Sequence, residues 1–165
     1  MDRERFIQLV STEQVSLRRY LLGLCRGNAA EADDLFQDAM TRAYLAFPGF
    51  LERARPGAWL LKICYHCFID RMRCRKAGSL DDDLERATGL ADEQASDGAF
   101  QYEALYEAIC HLPEKERSCI LLFYLEDRSI REIAHIMNIP QGSVKGYLFR
   151  GRQKLKELLK DEIER

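Results

Sequence analysis

Three cysteines near the middle of the chain have the residue type and the close spacing that metal binding requires. They are Cys64, Cys67 and Cys74. Zinc sites usually draw paired cysteines from turns and use four ligands. Here Cys64 and Cys67 lie inside a continuous helical pattern, and no second ligand pair follows them. The sequence therefore favours free structural thiols, with a helical metal or redox protein as the alternative.

The rest of the sequence contains no group of residues typical of catalysis, a metal site or a cofactor site, so we expect no enzyme activity. The other cysteines (25, 110 and 119) also lie in helical patterns, as buried thiols do in a reducing compartment. The first five residues are too charged for a signal peptide, and the longest apolar run, 119–125, is too short to span a bilayer. We therefore expect a cytoplasmic protein without direct membrane insertion.

The strongest motif lies at residues 129–152 and is typical of a helix-turn-helix. Its first helix repeats apolar residues on one face, at Ile130, Ile133, Ala134 and Met137. Asn138 can adopt the positive φ that ends a helix, and Pro140 prevents the helix from continuing. Ser143 is then expected to cap the second helix. The inward residues of that helix are Val144, Leu148, Gly151, Leu155, Leu158 and Leu159.

The outward face of the second helix is basic. Between residues 141 and 160 there are six basic residues (145, 150, 152, 154, 156 and 160) and one acid, Glu157. Phe149 is expected to point outward among these cations, where core packing does not require it. These features favour a helix that enters a DNA major groove. The structural alternative is an ordinary αα-hairpin with a solvated basic face.

Apolar spacing predicts an all-α fold. Helices are expected over 3–10, 13–26, 29–47, 57–77, 102–111 and 114–125, before the helix-turn-helix. Residues 81–97 hold seven acids and one basic residue, so we expect an acidic linker at 78–101 between helical domains at 1–77 and 102–165. Trp59 is expected to pack in the core rather than act as a wedge in DNA.

Two charged stretches of the first domain indicate partner surfaces. Asp34, Gln37 and Asp38 extend an acidic stripe beyond the first turn of their helix, where the helix dipole no longer explains acids. Residues 71–76 contain four basic residues and no acid, more than the dipole at a helix end requires, and phosphate contact explains them better.

In these features the chain resembles bacterial sigma factors of the extracytoplasmic-function class. Residues 31–44 resemble the family's helix that binds core RNA polymerase, and residues 59–70 with the basic residues after them resemble its promoter-melting region. Residues 112–117 and the stretch to Leu158 resemble the domain that reads the minus-thirty-five element. The resemblance covers nearly the whole chain and implies a protein that directs core RNA polymerase to a bipartite promoter.

The resemblance also implies roles for individual residues. Contacts with core RNA polymerase would come from Asp34, Leu35, Gln37 and Asp38. Contacts with the minus-ten element would come from Phe50, His66, Asp70, Arg73 and Arg75. Contacts with the minus-thirty-five element would come from Ser143, Lys145, Phe149, Arg150, Arg152 and Lys154, of which Arg152 and Lys154 would hold phosphates.

Two positions depart from the family pattern. His66 stands where the family usually has asparagine, and Gly146 stands where it often has a small hydroxyl residue, which removes one groove contact. The family also implies an anti-sigma factor as a further partner. The functional alternative is a helix-turn-helix transcriptional regulator whose first half is a sensing domain.

Overall fold

The computed structural model describes residues 2–49, 55–78 and 99–163, and all regular structure in these ranges is helical. The first module consists of α1 (Asp2–Leu24), α2 (Ala29–Ala46), a short 3₁₀ turn (Phe47–Gly49) and α3 (Pro56–Gly78). The second module consists of α4 (Ala99–Cys110), α5 (Glu114–Ile120) with a π-helical turn (Leu121–Leu125), α6 (Ile130–Met137) and α7 (Gln141–Ile163). Most of the expected acidic linker falls on 79–98, outside the described residues.

In the first module, α1 is one continuous helix, so the prediction of separate helices over 3–10 and 13–26 is wrong. The hydroxyl of Thr12 donates to the Gln8 carbonyl at 3.0 Å, so this hydroxyl is hydrogen-bonded inside the helix and does not end it. After α1 the chain turns at Gly27, where φ is 84°. Asn28 then caps α2, since its side-chain oxygen accepts the Glu31 N–H at 3.1 Å.

In the second module, α6 begins with a capping box in which Ser129 and Glu132 each accept the other's backbone N–H. It ends at Asn138, whose φ of 55° confirms the predicted left-handed residue. The predicted cap at Ser143 is wrong, because α7 already begins at Gln141. The Pro140 carbonyl accepts the N–H of Ser143 at 3.0 Å, so Ser143 already lies inside the first turn of α7.

The two modules pack against each other. Helix α1 lies on α4, α5 and the π-helical turn, while α3 lies on α6. Buried residues of both modules form one connected hydrophobic core. At Gly23 the contact is so close that a Cβ would lie 2.7 Å from a methyl group of Leu121. We call this packed state the closed arrangement; the sequence had left the relation of the modules open.

Among the described helices, none is both long enough and apolar enough to cross a lipid bilayer.

Candidate nucleic-acid interface

Helices α6 and α7 form the helix-turn-helix that the sequence predicts. The turn is closed by the Ile139 N–H, which donates to the Ala134 carbonyl at 3.0 Å. The predicted inward residues of α7 do face the core: Val144, Leu148 and Gly151 are buried, and the leucines further along the helix are half-buried. The opposite face of α7 is therefore open to a partner.

This outward face carries the residues that the sequence assigned to the minus-thirty-five element. Phe149 is 60% exposed although it is a large apolar side chain, and Lys145 beside it is exposed as well. Arg150 and Arg152 are exposed, Lys154 is half-buried, and Ser143 lies half-buried in the first turn of the helix. The structure thus brings these six residues together along one helix.

Three of these cations are held by groups of the second module. The Lys154 ammonium lies 2.9 and 3.1 Å from the two carboxylate oxygens of Glu116, and Arg150 Nε lies 3.5 Å from one of them. Arg152 Nε donates to the Tyr124 hydroxyl at 2.5 Å. Sequence reasoning missed Glu116, because it is one of four consecutive charged residues, 114–117, and the sequence does not show which of them turns toward α7.

Helix α3 carries four of the five residues assigned to the minus-ten element, and the fifth, Phe50, lies outside the described residues. His66 is half-buried, and burial together with the Lys62 charge holds the pKa of its imidazole below the usual value. Arg73 is exposed. Asp70 accepts from Arg42 at 2.8 Å, and Arg75 lies 2.8 Å from a Glu31 oxygen.

The residues assigned to polymerase contact lie on α2 and are only partly at the surface. Asp34, Gln37 and Asp38 are exposed, and Asp38 accepts from Arg71 of α3 at 2.9 Å. Leu35 is 1% exposed, so its side chain packs α2 against the core and does not reach the surface of the closed arrangement. The expected contact of Leu35 with a partner is therefore not available in this structure.

Three ion pairs join α2 and α3. In two of them an acid of α2 meets a cation of α3, Asp38–Arg71 and Glu31–Arg75, and in the third Arg42 of α2 meets Asp70 of α3. Each pair has at least one partner that is half exposed, and such pairs contribute less than about 1 kcal/mol each. The acidic stripe and the basic helix end, which the sequence assigned to different partners, therefore form one continuous charged surface.

The interface between the modules is polar at several points. Glu126, whose side chain is 1% exposed, accepts from Arg19 Nε at 2.7 Å and Nη2 at 3.1 Å, and from the Ser16 hydroxyl. Burial lowers the pKa of Arg117 to about 10; its guanidinium donates to the Leu24 carbonyl of α1 at 2.9 Å. Sequence reasoning missed these contacts, since each joins residues far apart in the chain.

The cysteines considered for a metal site are placed differently from one another. Cys64 and Cys67 are buried in the core, and burial raises the pKa of both thiols, whereas Cys74 is exposed. Within the part of the chain that the structure describes, no three His, Cys, Asp or Glu side chains come together as metal ligands. Trp59 packs against the core, as expected.

Comparisons with known families and structures agree with this arrangement. The family described as Sigma-70 region 2 matches residues 9–78, and that described as Sigma-70, region 4 matches residues 102–155. The chain is 34% identical to the ECF RNA polymerase sigma factor SigW of Bacillus subtilis over 147 residues, 82% of this chain and 79% of that protein. It is 32% identical to SigM of the same organism over 144 residues, 85% and 86% of the two chains.

A solved structure is similar over almost the full length. It is the sigma factor RpoE of Bartonella quintana in complex with the anti-sigma factor NepR. The TM-score is 0.83 at 27% identity, and the match covers 95% of this chain and 98% of that one.

Proposed function

The chain belongs to the extracytoplasmic-function family of RNA polymerase sigma factors and acts in promoter-directed transcription initiation; we propose here which of its surfaces meets which partner. Both modules match sigma regions, so the alternative of a regulator with a sensing domain is not favoured. We further propose that the protein is cytoplasmic and acts through the polymerase, with no catalytic activity of its own.

We propose that α7 reads the minus-thirty-five element in the major groove. The observation that carries this proposal is the exposure of Phe149 between Lys145 and Arg150, because an apolar ring that the core does not use can pack on a thymine methyl. Replacing Phe149 by alanine should leave the unfolding midpoint unchanged. It should weaken binding to the preferred duplex by about 1 to 3 kcal/mol, the cost of one mismatched base pair, measured by fluorescence anisotropy.

The basic end of α3 is proposed to meet the minus-ten element. Arg73 and Arg75 can hold phosphates there, while His66 and Asp70 can contact bases that leave the stack. The lowered pKa of His66 supports a neutral imidazole, which has one donor and one acceptor to offer. Phe50 is proposed to act beside them.

The exposed carboxylates of α2 are proposed to dock on a basic surface of core RNA polymerase. Asp34 and Asp38 lie on the exposed side of the helix, with Gln37 between them and Leu35 fixing the helix to the core. Charge complementarity of this kind mainly sets specificity and association rate. Reversing both acids to lysine should abolish retention of the chain by immobilised core polymerase, and unchanged retention would show that α2 is not the docking helix.

An anti-sigma factor is the third proposed partner, after promoter DNA and core RNA polymerase. The similar Bartonella structure is a sigma factor bound to one, and its arrangement resembles the closed arrangement over 95% of this chain.

The two promoter elements are named for positions about 25 base pairs apart, on the order of 85 Å at 3.4 Å per pair. A packed chain of this length is only about 40 Å across. The modules must therefore separate on the promoter.

Run-off transcription tests the function as a whole. The full chain is added to core polymerase on genomic promoter fragments, and transcripts are mapped at their starts. A sigma factor gives new, discrete starts, whereas a conventional regulator added to core polymerase gives none.

A further inference from the structure

The guanidinium of Arg150 has three neighbours on α5 and α7. Its Nε faces a Glu116 oxygen at 3.5 Å, and its central carbon lies 5.0 Å from the centre of the Tyr147 ring. The guanidinium also lies over Gly146, where a Cβ would stand 3.5 Å from Nη1 and 3.8 Å from Nη2. The side chain therefore lies back along α7 toward the start of the helix, where base edges are contacted.

Glu116 is an unusual residue to find beneath this helix. It is 5% exposed, and a buried carboxylate is costly unless it is paired. Lys154 pairs with both of its oxygens and would be sufficient to offset that cost. The additional approach of Arg150, one helical turn before Lys154, is not needed for burial.

Gly151 makes this double contact possible. A Cβ there would lie 2.9 Å from Ile120 and 3.8 Å from the Glu116 Cβ, so its absence lets α7 approach α5 closely. Arg150 and Lys154 stand on either side of this point of approach. Glu116 can therefore reach both cations from the helix below.

We propose that Glu116 and Gly146 are positioning residues that set the base specificity of Arg150, an inference that rests on the proposed reading of DNA by α7. The Glu116 carboxylate lies on the Nε side of the guanidinium, which leaves the two terminal nitrogens as the pair that can donate to N7 and O6 of one guanine. Gly146 supplies the space in which those nitrogens lie. Gly146, which departs from the family pattern, therefore makes room for the Arg150 guanidinium and does not contact the groove itself.

The test is a selection of preferred duplexes from a library randomised upstream of a fixed start, using core polymerase and the full chain. Arg150→Ala identifies the base pair at which guanine preference depends on this arginine. Glu116→Gln keeps the shape of the side chain and removes its charge, and it should reduce preference at that same position about fivefold or more. In the Arg150→Ala background it should cause no further loss, because it acts through Arg150. Lys156→Ala, an exposed cation of α7, is the control that should leave the preference unchanged.

Gly146 provides a second variant that leaves Glu116 intact. Gly146→Ala adds a Cβ at ordinary contact distance from the guanidinium and should keep the guanine preference, whereas Gly146→Val should displace Arg150 and lose that preference.

The proposal is overturned if Glu116→Gln weakens binding to all duplexes equally and retains the guanine preference, as replacement of a purely structural residue would. It is also overturned if binding to all duplexes tightens with a steeper salt dependence, which would mean that Glu116 only neutralises Lys154. If the unaltered chain selects no sequence at all, the proposed reading of DNA by α7 fails and this inference falls with it.

Discussion

Replacing Glu126 by glutamine should loosen the closed arrangement and so strengthen binding to core polymerase. In the closed arrangement the carboxylate is almost fully buried and accepts from Arg19 twice and from Ser16 once. All of these donors lie on α1, so they are lost when the modules separate and Glu126 meets water. Its interactions with α1 therefore stabilise the closed state alone.

The size of the effect follows from the burial of the partners. Hydrogen bonds to charged groups contribute about 1.5 to 3 kcal/mol, but the Arg19 side chain is 42% exposed and regains part of this from water. We expect Glu126→Gln to shift the closed–open equilibrium by about 1 to 2 kcal/mol, a factor of roughly 5 to 30. If polymerase binds only the open form, its apparent affinity rises by the same factor.

The assay is titration of labelled chain with core polymerase, together with small-angle scattering of the free chain. Glu157→Gln is the matched control, since it makes the same charge change on an exposed residue of α7. Arg19→Gln should reproduce the effect of Glu126→Gln, and the double variant should show little more than either one. Equal polymerase affinities for the Glu126 and Glu157 variants, both folded, would refute the assignment of Glu126 as a contact that holds the modules closed.

Two further predictions concern the same interface and the start of α6. Gly23→Ala should lower the thermal unfolding midpoint, because the new Cβ would lie 2.7 Å from Leu121; combined with Leu121→Ala it should cost less than the sum of the two single changes, since the methyl groups that the Cβ meets are then gone. Burial alone would raise the pKa of Glu132, but the hydrogen bond from the Ser129 N–H and the Arg128 guanidinium outweigh it and hold that pKa below its usual value. Glu132 therefore adds stability above its unfolded pKa that is lost as pH falls through the folded one, and Glu132→Gln should flatten the acid side of a plot of denaturation midpoint against pH.

The local features of this protein could be predicted from the sequence because they depend on residues a few positions apart. Asn138 ends α6 in the left-handed conformation, and the apolar face of α7 is where its 3.6-residue spacing puts it. Where local evidence is ambiguous the prediction failed: separate helices were expected over 3–10 and 13–26, yet α1 continues through both, and the Thr12 hydroxyl is hydrogen-bonded inside it.

The candidate surfaces were predictable as charged helix faces, but their contacts were not. In the sequence Leu35 belongs both to the apolar face of α2 and to the proposed docking motif, and only the packing of α2 shows that its side chain is buried. Glu116 and Glu126 each have another acid nearby in the sequence, and only the packing shows that these two are the buried ones with partners on other helices; Arg19 is 107 residues from Glu126. Sequence spacing determines which side of a helix a residue occupies. Which side chains face it across an interface depends on how distant helices pack, and that was decided by the tertiary structure alone.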